Sequence, residues 1–187
     1  MELSLDLNKR YTIKDYLSWT DDVRRELIDG FIKLFPAPTT IHADIGGNVF
    51  YVLKPFDRKN NLRVFVAPAD VFFCKVGDNK EEKDTVVQPD IFICKEEQVA
   101  AEGVYGAPLL IIEILSNYNK KKDKIDKYLL YEKHKVGEYL IVNPKTKTCE
   151  YYFHNGEVYD EGIDFTIEDE VELKCLGGVK VRLKDFF

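Results

Sequence analysis

Residues 108–116, Pro108-Leu109-Leu110-Ile111-Ile112-Glu113-Ile114-Leu115-Ser116, decide how the rest of the chain is read. From Leu109 to Leu115 every residue but one is apolar. An unbroken apolar run of this length, without alternation, predicts a strand covered on both faces. Such strands lie inside sheets flanked by helices, which points to an α/β architecture. The exception is Glu113. An ionised carboxylate in an apolar sheet costs several kcal/mol unless it is paired or holds a metal. Glu113 therefore either ends the strand and reaches solvent or an arginine, or it is a site carboxylate held on a rigid strand.

Upstream, Val86–Cys94 predicts a further strand, with Pro89 suited to an edge or a bulge. Asp90 follows that proline. Alone it reads as a turn residue at a strand start. Beside Glu113 it reads differently, because two acids on neighbouring strands make a hard-oxygen site for Mg²⁺ or Mn²⁺. Such an ion polarises a phosphate and activates a water. Downstream, Lys120–Lys135 predicts a helix with Ile125, Leu129 and Tyr128 turned inward. Asp123, Lys127 and Tyr131 are four apart and share one face of it. That face is either a solvated ion-pairing surface or it meets the strand ends. In the second case Lys127 orients the attacking water or stabilises the charge that develops on the phosphorus oxygens. Lys120, Lys121, Lys122 and Lys124 add positive potential able to steer a phosphate backbone.

The flanks complete the layout. Thr12 and Asp15 have capping-box spacing at the start of a short helix. Arg25–Ile28, Asp29-Gly30 and Phe31–Phe35 read as a hairpin, since Asp-Gly accepts the positive φ of a tight primed turn. Pro36-Ala37-Pro38 ends it. Thr39 or Thr40 opens a helix to about Leu53, with Ile41, Ile45, Val49 and Val52 on its apolar face. Leu62–Val66, Asp70–Cys74 and Tyr139–Val142 read as strands, and Gly77–Asp84 as an exposed loop. Short strands follow Thr148, with turns at Asn155-Gly156 and Gly177-Gly178. The expected fold is one domain over 1–187: a mixed β-sheet flanked by helices, with an N-terminal hairpin and a β-rich C-terminal region. The C-terminal aromatics, Tyr151, Tyr152, Phe153, Tyr159, Phe165, Phe186 and Phe187, either pack on the core or form a homodimer face.

Composition narrows the function classes. The 187 residues are 45% hydrophobic and 32% charged, which excludes wholesale disorder. Lys and Arg total 27 against 33 Asp and Glu, a net charge of -6. That disfavours a cationic surface binding nucleic acid or membrane everywhere, and leaves room for a local basic groove. Met1–Asp6 carries acids early and is no secretory leader. No window approaches the ~20 apolar residues of a membrane helix. Cys74, Cys94, Cys149 and Cys175 lie far apart without a C-x-x-C pair, as expected of free thiols in a reducing cytoplasm.

The segments quoted above occur in a particular order. Arg25-Glu26-Leu27-Ile28-Asp29-Gly30 is followed by 36–42, Pro68-Ala69-Asp70-Val71, Val87-Gln88-Pro89-Asp90-Ile91, 108–116, Asp123-x-x-x-Lys127-x-x-x-Tyr131 and 137–144. Together, from about Tyr11 onward, they resemble the Uma-two family of restriction-endonuclease-like proteins, within the PD-(D/E)XK nuclease superfamily. The resemblance implies a restriction-endonuclease-like core that cuts DNA phosphodiesters with Mg²⁺ or Mn²⁺. It matches Asp90 and Glu113 to the two metal acids and Lys127 to a lysine moved onto the helix. Glu26 and His42 match further positions near the site. The chain departs from the pattern at Leu115, where the superfamily's usual lysine stands, and at Leu109, Asn117, Leu140 and Asn143. Leu115 keeps an alternative open, a nuclease-fold module that binds nucleic acid or protein without turnover.

Overall fold

The computed structural model describes residues 5–34, 37–116 and 122–187, without the side chains of Lys122 and Asp123. In chain order the main elements are α1 (Ile13–Ser18), β1 (Arg25–Ile28), β2 (Phe31–Leu34), α2 (Thr40–Leu53), β3 (Leu62–Val66), β4 (Val71–Phe72), β5 (Val86–Val87), β6 (Ile91–Lys95), β7 (Val104–Tyr105) and β8 (Leu110–Ile114). Then come α3 (Lys122–Lys133), β9 (Glu138–Asn143), β10 (Thr148–Phe153), β11 (Ile163–Thr166), β12 (Glu170–Leu173) and β13 (Val179–Arg182).

The large sheet has the order β11-β10-β9-β8-β6-β3 and is mixed. β8 runs parallel to β9, with Glu113 opposite Ile141, and antiparallel to β6, with Ile112 opposite Ile91. A smaller sheet, β2-β1-β5-β4-β7, stands beside it, and β12 pairs with β13. The arrangement is the expected mixed α/β one, with sheets flanked by few helices.

Side chains on a strand point alternately to the two faces, so each face of the large sheet recruits its own helix. On one face Ile91, Ile93, Leu110, Ile112 and Ile114 pack against Ile45, Val49 and Leu53 of α2. On the other, Phe92, Cys94, Ile111, Tyr139 and Ile141 pack against Leu130 and Tyr131 of α3. All five residues of β8 are buried, as the apolar run predicts. Deleting one of these aliphatic side chains down to Ala costs about 2–5 kcal/mol. The C-terminal region closes over the α2 face through Val171, Leu173, Val181, Leu183 and Phe186. Its aromatics therefore belong mainly to the core.

The local signals resolve as expected at the N-terminus. Thr12 caps α1 with Asp15 in a reciprocal capping box. Asp29 and Gly30 take φ of 48 and 85, a primed turn that sets Leu27 opposite Ile32. Thr39 is the N-cap of α2, its hydroxyl accepting from the His42 N–H.

Four expectations are corrected. Val86–Cys94 is two strands in different sheets, because the chain leaves β5 at Gln88 and enters β6 only after Asp90. Pro89 has no N–H to continue a ladder, so the crossover falls there. Asp70–Cys74 forms a strand only at Val71–Phe72. Ile41 is 65% exposed, because the first turn of α2 extends past the edge of the apolar face. Ile125 and Leu129 are 55% exposed, while Lys127, Leu130 and Tyr131 are buried. Helix α3 thus lies on the sheet through a face rotated away from the one that apolar periodicity alone selects. Phe35, Pro36 and Asn117 lie outside the described residues.

Candidate functional site

The site forms where β6 begins and β8 ends. Ile91 faces Ile112 in the antiparallel ladder, so one further step sets Asp90 beside Glu113. The Ile114 N–H donates to Asp90 Oδ2 at 2.8 Å and fixes that carboxylate to the end of β8. From one face, the first turn of α2 brings His42, whose Nε2 lies 3.0 Å from the same Oδ2. From the other face, α3 delivers Lys127 and Tyr131. Lys127 Nζ donates to Glu113 Oε1 at 2.8 Å, and the Tyr131 hydroxyl donates to it at 2.6 Å.

Glu26 comes from the smaller sheet. It is fully buried on β1, and its Oε1 accepts from the Gln88 N–H at 2.9 Å and stands 3.9 Å from Lys127 Nζ. Two ion pairs, Lys133 with Asp29 at 2.7 Å and Lys33 with Asp126 at 3.5 Å, hold the hairpin against α3. All five residues singled out from the sequence, Glu26, His42, Asp90, Glu113 and Lys127, therefore meet at one place.

Their charges do not balance. Glu26, Asp90 and Glu113 all act on the ammonium of Lys127. Among the described residues, with every group in its ordinary state, three carboxylates meet one cation. Burial alone would lower Lys127, but the three acids raise it well above its usual value, so it stays an ammonium. Burial first, then the charges of Asp90 and Glu26, push the Glu113 carboxyl up, Lys127 pulls it down, and the balance raises it to about 7. Burial also pushes Asp90 up, yet the His42 hydrogen bond, the Lys127 and His42 charges and the Ile114 N–H together hold it below its usual value. The hydrogen bond to Asp90 raises His42, against its burial. Concentrating negative charge in a buried place costs stability, and the fold bears that cost here.

The donor set suits a hard cation. The described bonds fall on one oxygen of each acid, Oδ2 of Asp90 and Oε1 of Glu113, and leave the second oxygen of each outside them. Among the described residues no three His, Cys, Asp or Glu side chains are grouped to hold a metal alone. A site of two carboxylates completed by water and phosphate is the usual arrangement for Mg²⁺ at phosphoryl centres.

Leu115, at the position of the superfamily's usual lysine, packs into the apolar core on the α3 side. Lys127 stands at Glu113 instead, reaching it from the helix. Of the basic run, Lys120 and Lys121 and the side chain of Lys122 lie outside the described residues, as does that of Asp123. Lys124 is committed to an ion pair with Glu150. Two participants had no assigned role in the sequence. Tyr131 was visible only as a residue one turn beyond Lys127, and Gln88 as the neighbour of Pro89.

The family model described as "Putative restriction endonuclease", Uma2, matches residues 13–184. The chain belongs to the Uma2 family. Membership places it in a nuclease family. It is also similar to a solved structure from Anabaena variabilis, described as "a putative nuclease belonging to DUF820". The two are 20% identical over 95% of this chain and 97% of that one, with a TM-score of 0.75, a likeness of fold. No curated protein matches the chain. No helix among the described residues is long and apolar enough to cross a membrane.

Proposed function

We propose that this Uma2 protein is a metal-dependent endonuclease that hydrolyses DNA phosphodiester bonds. The observation that carries the reading is the buried excess of carboxylates around Lys127 at the adjoining ends of β6 and β8. Asp90 and Glu113 are the residues that would hold Mg²⁺ or Mn²⁺. When bound there, the ion supplies Lewis-acid polarisation of the phosphate and a more acidic water.

The chain's own groups do the rest. Lys127 keeps its proton and presents a fixed positive charge to the phosphoryl oxygens, where negative charge grows during hydrolysis. Tyr131 holds Glu113 in one orientation, and His42 with the Ile114 N–H does the same for Asp90. Glu26 keeps Lys127 drawn toward the cluster. Glu26, His42, Glu113, Lys127 and Tyr131 lie on strands and helices and Asp90 is tied to the end of β8, so little reorganisation is needed when charge develops.

The test is plasmid cleavage with Mg²⁺ or Mn²⁺. The expected result is metal-dependent nicking that chelation stops and that Asp90→Ala and Glu113→Ala each remove. Cutting that survives both substitutions overturns the assignment. Salt-dependent DNA binding without product under any divalent ion would favour the binding-module reading motivated by Leu115. Pairing of two copies would suit cutting of both strands, and sedimentation of the active protein measures it.

A further inference from the structure

A cleft of about 390 Å³ opens at Gln88, whose N–H is bonded to Glu26 of the acid cluster. Phe65, Pro68, Val99 and Val104 supply apolar wall, and Asp70 and Gln88 supply polar groups. This volume lies in the range of small-ligand pockets. The cleft is built around Asp70. Its Oδ1 accepts from the Tyr16 hydroxyl at 3.0 Å and from Gln88 Nε2 at 2.8 Å, which locks the carboxylate in place. Its carbonyl accepts the Val104 N–H at 2.8 Å, closing the wall. The backbone at Gly103 comes so near that a Cβ there would sit 2.6 Å from the Asp70 carbonyl oxygen.

The lining chemistry selects the occupant. Two acids, Asp70 and Glu102, line the cleft, and among the described residues no Lys or Arg does. A phosphate inside is disfavoured by that charge. A flat, neutral group with N–H donors is favoured, because Asp70 offers a fixed acceptor and the walls offer apolar contact. The exposed Arg24, whose Nε donates to Gln88 Oε1 at 3.2 Å, adds a cation at the Gln88 side.

Gln88 also ties the cleft to the acids. Its N–H is bonded to Glu26 while its side chain is bonded to Asp70, and Asp90 follows two residues later. Two residues of extended chain span roughly 7 Å at most. That is a separation one nucleotide step along a single strand can bridge. We propose that this cleft is a nucleobase subsite: it receives the base of the nucleotide next to the scissile phosphate, with Asp70 accepting from an exocyclic amino group. The placement of the phosphate rests on the nuclease reading, whereas the binding of the base does not. Carboxylates accept from the cytosine N4 amino group, and thymine carries no exocyclic amine.

The experiment is fluorescence anisotropy with short labelled oligo(dC), oligo(dA) and oligo(dT), in EDTA so that no strand is cut. Oligo(dC) and oligo(dA) are expected to bind at least about fivefold more tightly than oligo(dT), the discrimination of one good base contact. Asp70→Asn should abolish the preference. Ala101→Phe, at an exposed lining position, should fill the cleft and weaken binding of all three strands without disturbing the Asp70 hydrogen bonds. Equal binding of the three oligonucleotides by the native protein overturns the subsite, as does unchanged binding by Ala101→Phe. Metal-dependent plasmid cleavage is scored separately. Cleavage without base preference removes the subsite and leaves the nuclease, and preference without cleavage does the reverse.

Discussion

Two buried glutamates on neighbouring parallel strands show what burial does and does not mean. Glu113 on β8 and Glu138 on β9 are 7% and 1% exposed. In the ladder Leu110 faces Glu138 and Glu113 faces Ile141, so the two acids sit at opposite ends of the same strand pair. Glu138 is surrounded by neutral donors. Its Oε2 accepts from the Tyr151 hydroxyl at 2.8 Å and the Lys174 N–H at 2.9 Å, and its Oε1 from the Cys175 N–H. It pins the C-terminal segment to the sheet. Glu113 meets an ammonium and two further acids. A carboxylate satisfied by neutral donors is a structural rivet. A carboxylate crowded by like charge is held against its own preference, and such places are where chemistry is found.

The sharpest way to break the comparison is to neutralise each acid in turn. Glu113→Gln is expected to lower metal-dependent cleavage on the order of a thousandfold, the scale of losing one electrostatic element of a transition state. Glu138→Gln should leave the single-turnover rate unchanged. Equal losses would erase the distinction.

Stability should divide the other way. Glu138→Ala leaves three buried donors without their acceptor and is expected to cost about 3 kcal/mol or more. For a chain of this size that lowers Tm by roughly 6–12 °C. Glu113→Gln should cost nothing or raise Tm, because it relieves crowding among acids. Urea unfolding of both variants at one pH measures the contrast.

A third test uses pH. The folded Glu113 binds its proton up to about 7, against 4.5 for the ordinary group. Between these values the native state holds more protons than the unfolded one, so stability falls as pH rises through the window. His42, raised by Asp90, acts in the same direction, since its contribution is lost as pH climbs through its folded value. Native protein is expected to lose on the order of 2 kcal/mol between about pH 5 and about pH 8. Glu113→Gln should flatten most of that slope, and Glu138→Gln should not. An unchanged slope in Glu113→Gln would mean that Glu113 ionises as an ordinary acid.

The smallest effect is expected at Tyr131. Tyr131→Phe removes one hydrogen bond to Glu113 and should cost about 1 kcal/mol of stability. Cleavage should fall roughly tenfold, as expected for a group that orients a reacting one. A loss as large as that of Glu113→Gln would make Tyr131 a participant in the chemistry itself.

Much of this was legible from local rules. The Asp29-Gly30 turn, the Thr12–Asp15 capping box and the apolar run through β8 each depend on residues a few positions apart. Glu113 stood out because a single charge interrupted that run. The inward face of α3 was left open between two sets of residues, one of them holding Lys127 and Tyr131. Apolar periodicity favoured Ile125 and Leu129, and the structure turns Lys127 and Tyr131 toward the sheet instead. The crossing at Gln88-Pro89-Asp90 was also hidden, because two short strands in different sheets look like one strand in sequence.

The sequence by itself determined the strand that is buried on both faces, the hairpin, the helix caps and which acids were out of place. Those follow from backbone geometry and from the cost of placing a charge among aliphatic neighbours. Only the tertiary structure decided that Glu26 from one sheet, Asp90 and Glu113 from another, and His42 and Lys127 from helices on opposite faces converge. Convergence depends on strand register and on how α3 is rotated against the sheet. Both are set by the sum of many weak packing contacts between distant residues, and no local stretch of sequence contains that sum.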